Sequence, residues 1–405
     1  MKELVVPFRG ERYAETDRLS RLIAPPYDVI DAAGRARLAA LDEHNIVHLM
    51  LPEAPAAGDR YVWAGQELAA WRRSGVLARD AAPAVYVMAQ GDRLGVFVAL
   101  AAEGYAPRRV RPHERTHAGP KADRLALLRA TRTNLESIFL LVPDPDRALE
   151  QALAKVAKRA PDATGELDGV AIRVWAVTGS DASRISHLAS RSCLYIADGH
   201  HRYETASAYA AENPAADRVL AFIVSAQDPG LVVLPTHRLI HGTGRRVDAV
   251  VPAWRSGLFD VAPVPAGVDP VAYLRELGRE RTACLVASPD GDVLGLALQP
   301  DARLDDFPDL GASAPVRALD VARVETLVVK PLLRADASTP TLAYTADARE
   351  AFASVRQGVS TAVLLNPTRV EQVFAVADAG DVMPPKSTYF APKVPSGLVL
   401  RPCEG

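Results

Sequence analysis

The feature that most constrains the fold is a short apolar run that ends in Asp-Gly and leads directly into a helical pattern. The run from Cys193 to Ala197 has the composition of a buried strand, and Tyr203 to Glu212 carries apolar residues at helical spacing. Gly199 permits a tight turn between them, because glycine adopts left-handed backbone conformations at little steric cost. A strand joined to a helix through so short a turn is typical of an α/β protein.

This strand–turn–helix junction also predicts an anion-binding site. The first amides of a helix have no intrahelical acceptor and lie at the positive end of its dipole, where phosphate groups bind. His200, His201 and Arg202 add three successive donor side chains. Asp198 is the one carboxylate of the segment and could be a magnesium ligand, a base or an N-cap. The alternative is a capped helix with two solvated histidines, and the run of donors favours the phosphate site.

Composition excludes several other classes of protein. The chain has 405 residues, 49% of them hydrophobic, and a formal net charge of −2, which fits a globular protein of about two or three domains. Nucleic-acid binding depends on clustered Lys and Arg, so no nucleic-acid partner is expected. Three separate cysteines provide no disulfide framework and no thiolate zinc site. Without a signal-like or membrane-spanning run, we expect a cytoplasmic protein that uses no membrane and binds a small-molecule substrate.

Several secondary-structure elements can be predicted along the chain. Hairpins are expected from Val85 to Val98 and from Ala283 to Leu296, the second with a turn at residues 289–292. Helices are expected over 125–135 and 147–157, and 342–377 alternates strand, helix, strand, helix. The Pro-rich segment from Met383 to Phe390 cannot be a continuous helix, because proline fixes φ and removes an N–H donor.

His113-Glu114-Arg115-Thr116-His117 matches the zinc-protease pattern H-E-x-x-H, but its surroundings argue against that chemistry. The pattern binds zinc only on a helix, where the two histidines share one face. Pro112 and Pro120 flank it closely, so we expect a loop and no zinc. A metal-dependent hydrolase using His113 and His117 is therefore the third hypothesis. The loop would instead present polar groups ahead of the helix at 125.

Lysine is rare in this chain, and its positions support a phosphate site. Only seven of the 47 basic residues are lysine, and Lys121, Lys386 and Lys393 all lie in polar, Pro-rich loops. A compact ammonium on a flexible stem suits a transferring phosphoryl group.

Four motifs, occurring in order along the chain, resemble the family known as domain of unknown function 1015. They are Pro25-Pro26-Tyr27-Asp28-Val29-Ile30, then His113-Glu114 with Thr116 through Lys121-x-Asp123-Arg124, then Ala197 to Arg202, and then Met383 to Phe390 with Pro392-Lys393 and Ser396-Gly397. One departure is Tyr389, where tryptophan is expected. The Asp198–Arg202 turn is also similar to the phosphate-binding turn of the ParB/sulfiredoxin superfamily, which includes kinases of free L-serine.

The resemblance implies a fold and a reaction. The fold would be mixed α/β, with a ParB/sulfiredoxin-like core over 1–245, an α+β lobe over 246–380, and a C-terminal loop over 381–405 that returns to the active site. The reaction would be phosphorylation of a small hydroxy amino acid, L-serine first, by ATP with Mg²⁺; ADP is the alternative nucleotide. The other hypothesis is a ParB-like regulator that binds or hydrolyses a nucleotide.

The roles expected of individual residues follow from these motifs. Asp28, Glu114 and His201 are the catalytic candidates, with Asp28 or Glu114 as the base, and Asp198 is the magnesium ligand. Tyr27 and Thr116 are candidates for substrate binding. The phosphates and nucleotide would be bound by Gly199, His200, Arg202, Lys386, Ser387, Thr388, Lys121 and Arg124. The nucleotide base, the choice between the two carboxylates and the oligomeric state stay open.

Overall fold

The structure is a computed structural model, and it describes residues 2–54, 58–241, 247–289, 293–334 and 341–404. The chain divides into two compact units. The first unit comprises Met1–Pro112, Thr116–Val232 and Pro392–Gly405, and the second comprises His113–Arg115 and Val233–Ala391. In the described residues, no helix is both long enough and apolar enough to cross a membrane.

The first unit is built on a mixed sheet with nine strands among the described residues. Its order along the sheet is Val110–Arg111, Leu194–Asp198, Ile138–Val142, Arg218–Ser225, Arg93–Ala101, Ala84–Gln90, Val170–Thr178 and Ala163–Leu167, with Val5–Val6 paired to Arg93–Ala101. Two of the pairings are parallel and the others antiparallel. Two small pairs, Glu11–Tyr13 with Leu77–Arg79 and Thr133–Asn134 with Arg401–Pro402, complete its strands.

The central strands Ala84–Gln90, Arg93–Ala101, Ile138–Val142 and Arg218–Ser225 are buried nearly throughout, which explains their continuous apolar runs. One face packs against helices Ala148–Val156 and Gly179–Leu188 in a core that includes Val87, Val98 and Ile223. The remaining helices of the unit are Leu19–Leu22, Ala32–Leu41, Val47–Met50, Arg60–Arg73, Ala118–Thr131 and His200–Glu212, with 3₁₀ turns at Tyr27–Val29 and Pro214–Ala216.

The second unit contains an antiparallel sheet of its own. Its strand order is Phe259–Pro263, Val293–Leu298, Ala283–Ala287, Ser360–Leu365, His237–His241 and Thr341–Thr345, and a further pair joins Val232–Leu234 to Tyr389–Ala391. Helices Pro270–Leu277 and Ala348–Arg356 pack on one face of the sheet. The other helical segments are Val247–Arg255, Leu304–Asp306, Pro308–Leu310, Ala314–Arg317, Asp320–Val324, the π-helical Glu325–Val329, Lys330–Arg334 and Val370–Asp378.

The mixed α/β class is confirmed, and so are most of the predicted elements. The hairpin of Ala84–Gln90 with Arg93–Ala101 is present. The second hairpin is also present in its strands, although residues 290–292 of its turn lie outside the described residues. The predicted helix over 147–157 is observed as Ala148–Val156, and the alternation over 342–377 is observed as strand Thr341–Thr345, helix Ala348–Arg356, strand Ser360–Leu365 and helix Val370–Asp378.

The predicted helix over 125–135 is wrong at both ends. The helix runs from Ala118 to Thr131, and Thr133–Asn134 already forms a strand. Pro120 is tolerated because it lies in the first turn, where a backbone N–H would have no intrahelical acceptor. Arg132 ends the helix in the left-handed conformation, at φ 48°.

The two units have boundaries different from those of the predicted domains. Strand His237–His241 pairs with strands of the second sheet, and the segment of the first unit that begins at Thr116 ends before it, at Val232. The C-terminal segment is divided at Pro392, from which point the chain belongs to the first unit. The predicted boundary at 245 lies outside the described residues, and the predicted domains stay predictions.

Candidate phosphate site in the first unit

The turn from Asp198 to Arg202 has the geometry that the sequence predicts. Strand Leu194–Asp198 ends at the turn, Gly199 adopts φ +90°, and helix His200–Glu212 begins at the next residue. Its N-cap residue, Gly199, makes no side-chain capping hydrogen bond. The first amides of the helix therefore lack an intrahelical acceptor at the positive end of the dipole, which is the arrangement that binds anions.

Asp198 holds two cations at this turn. Arg202 donates to one of its oxygens at 2.8 Å, and Lys393 donates to the other at 3.3 Å. Burial alone would raise the pKa of Asp198, but Lys393 and Arg202 outweigh it and lower that pKa to about 2. Asp198 is therefore ionised at every physiological pH and pairs with both cations.

Lys393 is a residue that sequence analysis noticed but did not place in the site. It was one of the three lysines in Pro-rich loops, yet no role was assigned to it. Its contact with Asp198 spans 195 positions of sequence. Two signals pointed to it: the rarity of lysine and its place in the Pro392-Lys393 part of the fourth motif.

Behind the turn, Arg202 belongs to a buried group of charges. It also donates to the carbonyl of Ser137, next to Glu136. Glu136 accepts the backbone N–H of Tyr27 at 3.0 Å and lies 3.5 Å from Arg124. Burial raises the pKa of Glu136, while the two arginines act in the opposite direction.

Arg124 makes several contacts in this neighbourhood. Its guanidinium lies over the ring of Tyr27, 4.3 Å from the centroid, and donates to Asp123 and to the carbonyl of Met50. Burial raises the pKa of Tyr27 to about 12, so its phenol is neutral. The predicted phosphate contact of Arg124 stays a prediction.

Asp28 is exposed and lies within electrostatic range of the turn. Asp198, then Glu136 and then Asp28 raise the pKa of Arg202 against the opposing effect of burial, and the charge of Asp28 also acts on His201. Asp28 thus acts electrostatically on both His201 and Arg202, and its role as a catalytic residue stays a prediction. An exposed carboxylate can accept a proton from a bound hydroxyl group.

His201 is a neutral imidazole at neutral pH. Burial, and then the charge of His117, lowers its pKa. Its Nε2 atom accepts the backbone N–H of His117 at 2.8 Å, and the two rings stack with centroids 6.0 Å apart. The contact fixes the start of the 118–131 helix beside the turn.

Glu204 is a site residue that sequence analysis missed. Its carboxylate accepts the Thr116 hydroxyl at 2.7 Å and Lys121 at 2.9 Å. Thr116 and Lys121, both predicted to bind substrate or phosphate, therefore contact the same carboxylate. Glu204 lies one helical turn after His200. One signal could have indicated Glu204: it is an acidic residue in the second turn of a helix that begins with three basic side chains.

Four predicted site residues belong to the second unit. The backbone N–H of Lys386 donates to the Glu114 carboxylate at 3.4 Å, and the hydroxyl of Thr388 lies 3.0 Å from His113 Nε2. Ser387 is buried, and its carbonyl accepts the Thr368 hydroxyl at 3.0 Å. The functional roles of Glu114, Lys386, Ser387 and Thr388 stay predictions.

The prediction that H-E-x-x-H is not helical here is confirmed. Residues 113–117 precede the helix that starts at Ala118. Over the described parts of the chain, no group of three or more His, Cys, Asp or Glu side chains is placed to hold a metal ion.

Comparison with known proteins identifies the family. The sequence matches the family model described as "Protein of unknown function (DUF1015)" over residues 5–322, so the chain belongs to that family. A search of curated proteins gave no match.

Solved structures show weak similarity to the chain. One is a free serine kinase variant in complex with ADP, 13% identical over 73% of this chain and 87% of that chain, with a TM-score of 0.38. A conserved hypothetical protein from Pyrococcus furiosus is 14% identical over 75% and 93%, with a TM-score of 0.37. C-terminally truncated SbnI from Staphylococcus aureus is 9% identical over 76% and 87%, with a TM-score of 0.39. These TM-scores are too low to support an inference about activity.

Proposed function

We propose that this protein is an ATP-dependent phosphotransferase whose acceptor is a small hydroxy amino acid, L-serine first. The observation that carries the proposal is the Asp198–Arg202 turn, where a helix N-terminus and the cations Arg202 and Lys393 meet at one carboxylate. Phosphoryl transfer depends mainly on positioning and charge neutralisation, and this combination provides both. The amino acid acceptor rests on the resemblance of the turn to that of a superfamily with free serine kinases.

In this proposal the turn binds the phosphates of the nucleotide. The backbone of Gly199 allows close approach, and His200 and the first amides of the helix face the negative charge. Arg202 supplies a planar guanidinium, and Lys393 a compact ammonium. Asp198 neutralises one of these two charges, which leaves the pair with one net positive charge.

Asp28 is the proposed general base. The acceptor hydroxyl oxygen forms a bond to the γ-phosphorus, the bond from that phosphorus to ADP breaks, and the hydroxyl proton moves to Asp28. The exposure of Asp28 and its electrostatic effect on His201 and Arg202 support this role. His201, neutral at pH 7, would donate or accept a hydrogen bond without adding charge.

Magnesium would neutralise phosphate charge when it enters with ATP. Such ions are commonly held by one or two carboxylates together with phosphate oxygens. Asp198 has the right chemistry, but a metal there would have to displace Arg202 or Lys393 from an oxygen. Its predicted role as the magnesium ligand therefore requires a rearrangement at the turn.

The test is a direct assay of the purified full chain with ATP and Mg²⁺. L-serine, L-threonine, L-homoserine and glycerate are offered separately, and ADP and phosphorylated acceptor are quantified by mass spectrometry. We expect O-phosphoserine in equal amount to ADP. The variant Asp28→Asn should lose most of the turnover while it still binds ADP, and Asp17→Asn, an exposed carboxylate of the same N-terminal region, should behave as the wild type.

The possible outcomes separate the hypotheses. ADP release at a rate that no acceptor changes would overturn the kinase proposal in favour of the nucleotide-hydrolysing regulator. Binding of ADP with no product from any acceptor would exclude the phosphotransferase. Failure to bind either ADP or inorganic phosphate would remove the phosphate site itself.

A further inference from the structure

A fully buried arginine lies at the start of a central strand of the first sheet. Arg93 has no exposed surface, and its guanidinium lies over the rings of Phe139 and Phe222, at 4.9 and 5.5 Å from their centroids. Burial lowers the pKa of Arg93 to about 10. Removing a guanidinium from water is costly, and a hydrophobic side chain of similar volume would pack at least as well. Stability therefore gives no reason for arginine here.

The hydrogen bonds of Arg93 lead to the C-terminal segment of the first unit. Its Nη1 atom donates to the carbonyl of Pro392 at 2.5 Å, and its Nη2 atom donates to the side chain of Gln90. Gln90 in turn donates to the carbonyl of Lys393 at 3.0 Å. Arg93 and Gln90 thus bind the consecutive carbonyls of Pro392 and Lys393, which lie about 300 positions further along the chain.

The backbone that carries Arg93 is held by neighbouring residues. Asp228 accepts the backbone N–H groups of Leu94 and Gly230, at 3.0 and 2.9 Å. Gly230 packs directly on the backbone of Arg93, where a Cβ atom would come within 2.3 Å. The guanidinium therefore starts from a backbone that cannot shift far.

We propose that Arg93 and Gln90 form a brace that positions Lys393 at the Asp198–Arg202 turn. The brace fixes the backbone of residues 392 and 393, and the Lys393 side chain then reaches Asp198. Arg93 and Gln90 are positioning residues that set the anion affinity of the turn through Lys393. The proposal rests on the proposed function only in requiring that the turn binds phosphate.

The experiment is a double-mutant cycle on the full chain. The affinity for ADP and for inorganic phosphate is measured by calorimetry for the wild type, Arg93→Met, Lys393→Met and the double variant. Loss of a charged hydrogen bond weakens binding about tenfold, so Lys393→Met should lose about that factor. Arg93→Met should lose a similar factor, and the double variant should bind no more weakly than Lys393→Met alone.

Arg401 provides the matched control. It is also buried, its pKa is also lowered to about 10 by burial, and it donates to the carbonyl of Arg218 rather than to residues 392 and 393. Arg401→Met should reduce stability and leave ADP affinity unchanged. If Arg93→Met does not fold, Gln90→Leu removes the contact to Lys393 and takes its place in the cycle.

Three results would overturn the brace: losses that multiply in the double variant, unchanged affinity in both Arg93→Met and Gln90→Leu, or an equal loss in Arg401→Met. If the wild type binds neither ADP nor phosphate, the proposed function fails. The brace proposal is then tested by measuring the free energy of unfolding of the same four proteins. Coupled effects of Arg93→Met and Lys393→Met support it, and additive effects refute it.

Discussion

Replacing Asp198 by asparagine tests whether one carboxylate holds the turn together. Its pKa is lowered from 3.8 to about 2 although burial alone would raise it. At about 1.4 kcal/mol per pKa unit, the ionised form contributes about 2 kcal/mol above pH 4. Asparagine also leaves Arg202 and Lys393 partly buried without their counter-charge, so we expect a loss of about 3 kcal/mol at neutral pH.

The assay is urea unfolding of the wild type and Asp198→Asn, followed by tryptophan fluorescence at a series of pH values. Because the folded pKa lies below the unfolded one, the contribution of Asp198 is complete above about pH 4 and is lost between about pH 4 and pH 2. The difference between the two proteins should therefore be constant near neutrality and shrink over that acidic range.

Asp146→Asn is the matched control. Arg191 lowers the pKa of Asp146 to about 2 as well, but the Asp146 side chain is 61% exposed. Solvent screens such a pair, and its removal should change the stability little. Equal losses in the two variants, or a loss below about 1 kcal/mol in Asp198→Asn, would refute the idea that burial of the two cations sets the magnitude.

Two further variants test the local geometry of the turn. In urea unfolding, Gly199→Ala should lower the free energy of unfolding more than Gly75→Ala. Both glycines have positive φ, but a Cβ at Gly199 would lie 3.0 Å from the Arg202 guanidinium, whereas Gly75 faces open space. The backbone effect alone is about 1–2 kcal/mol, and equal losses would contradict the close contact. His201→Gln keeps an acceptor for the His117 N–H group. Because the pKa of His201 is lowered on folding, the wild type should lose stability as the pH falls below about 6.5, and the variant should lose less. An identical pH dependence of the two urea midpoints would contradict the buried, neutral state of His201.

Sequence reasoning succeeded where the signal was local. The left-handed Gly199 between an apolar run and a helical pattern was sufficient to place the strand, the turn and the helix. Pro112 and Pro120 were sufficient to reject a helix through His113 and His117, although Pro120 proved to lie inside the first turn of the next helix.

Sequence reasoning failed where the candidate site brings together residues that are distant in sequence. The Asp198–Lys393 and Tyr27–Glu136 contacts span 195 and 109 positions, and no periodicity or turn signal reports such pairs. The order of the sheets has the same origin, because strand pairing between distant segments depends on the packing of the whole core. The rarity of lysine marked Lys393 as unusual, but only the brace from Arg93 explains its position.

The brace and Asp198 act on Lys393 in opposite ways, and this predicts a second effect of Asp198→Asn. The carboxylate stabilises the turn but competes with phosphate for both cations, whereas the brace holds the Lys393 backbone whether or not Asp198 is charged. With asparagine, Arg202 and Lys393 should stay close to the turn with their charges uncompensated. Asp198→Asn should then bind inorganic phosphate several-fold more tightly than the wild type while unfolding at lower urea concentration. Weaker binding of phosphate in calorimetry would mean that Asp198, not the brace, positions Lys393.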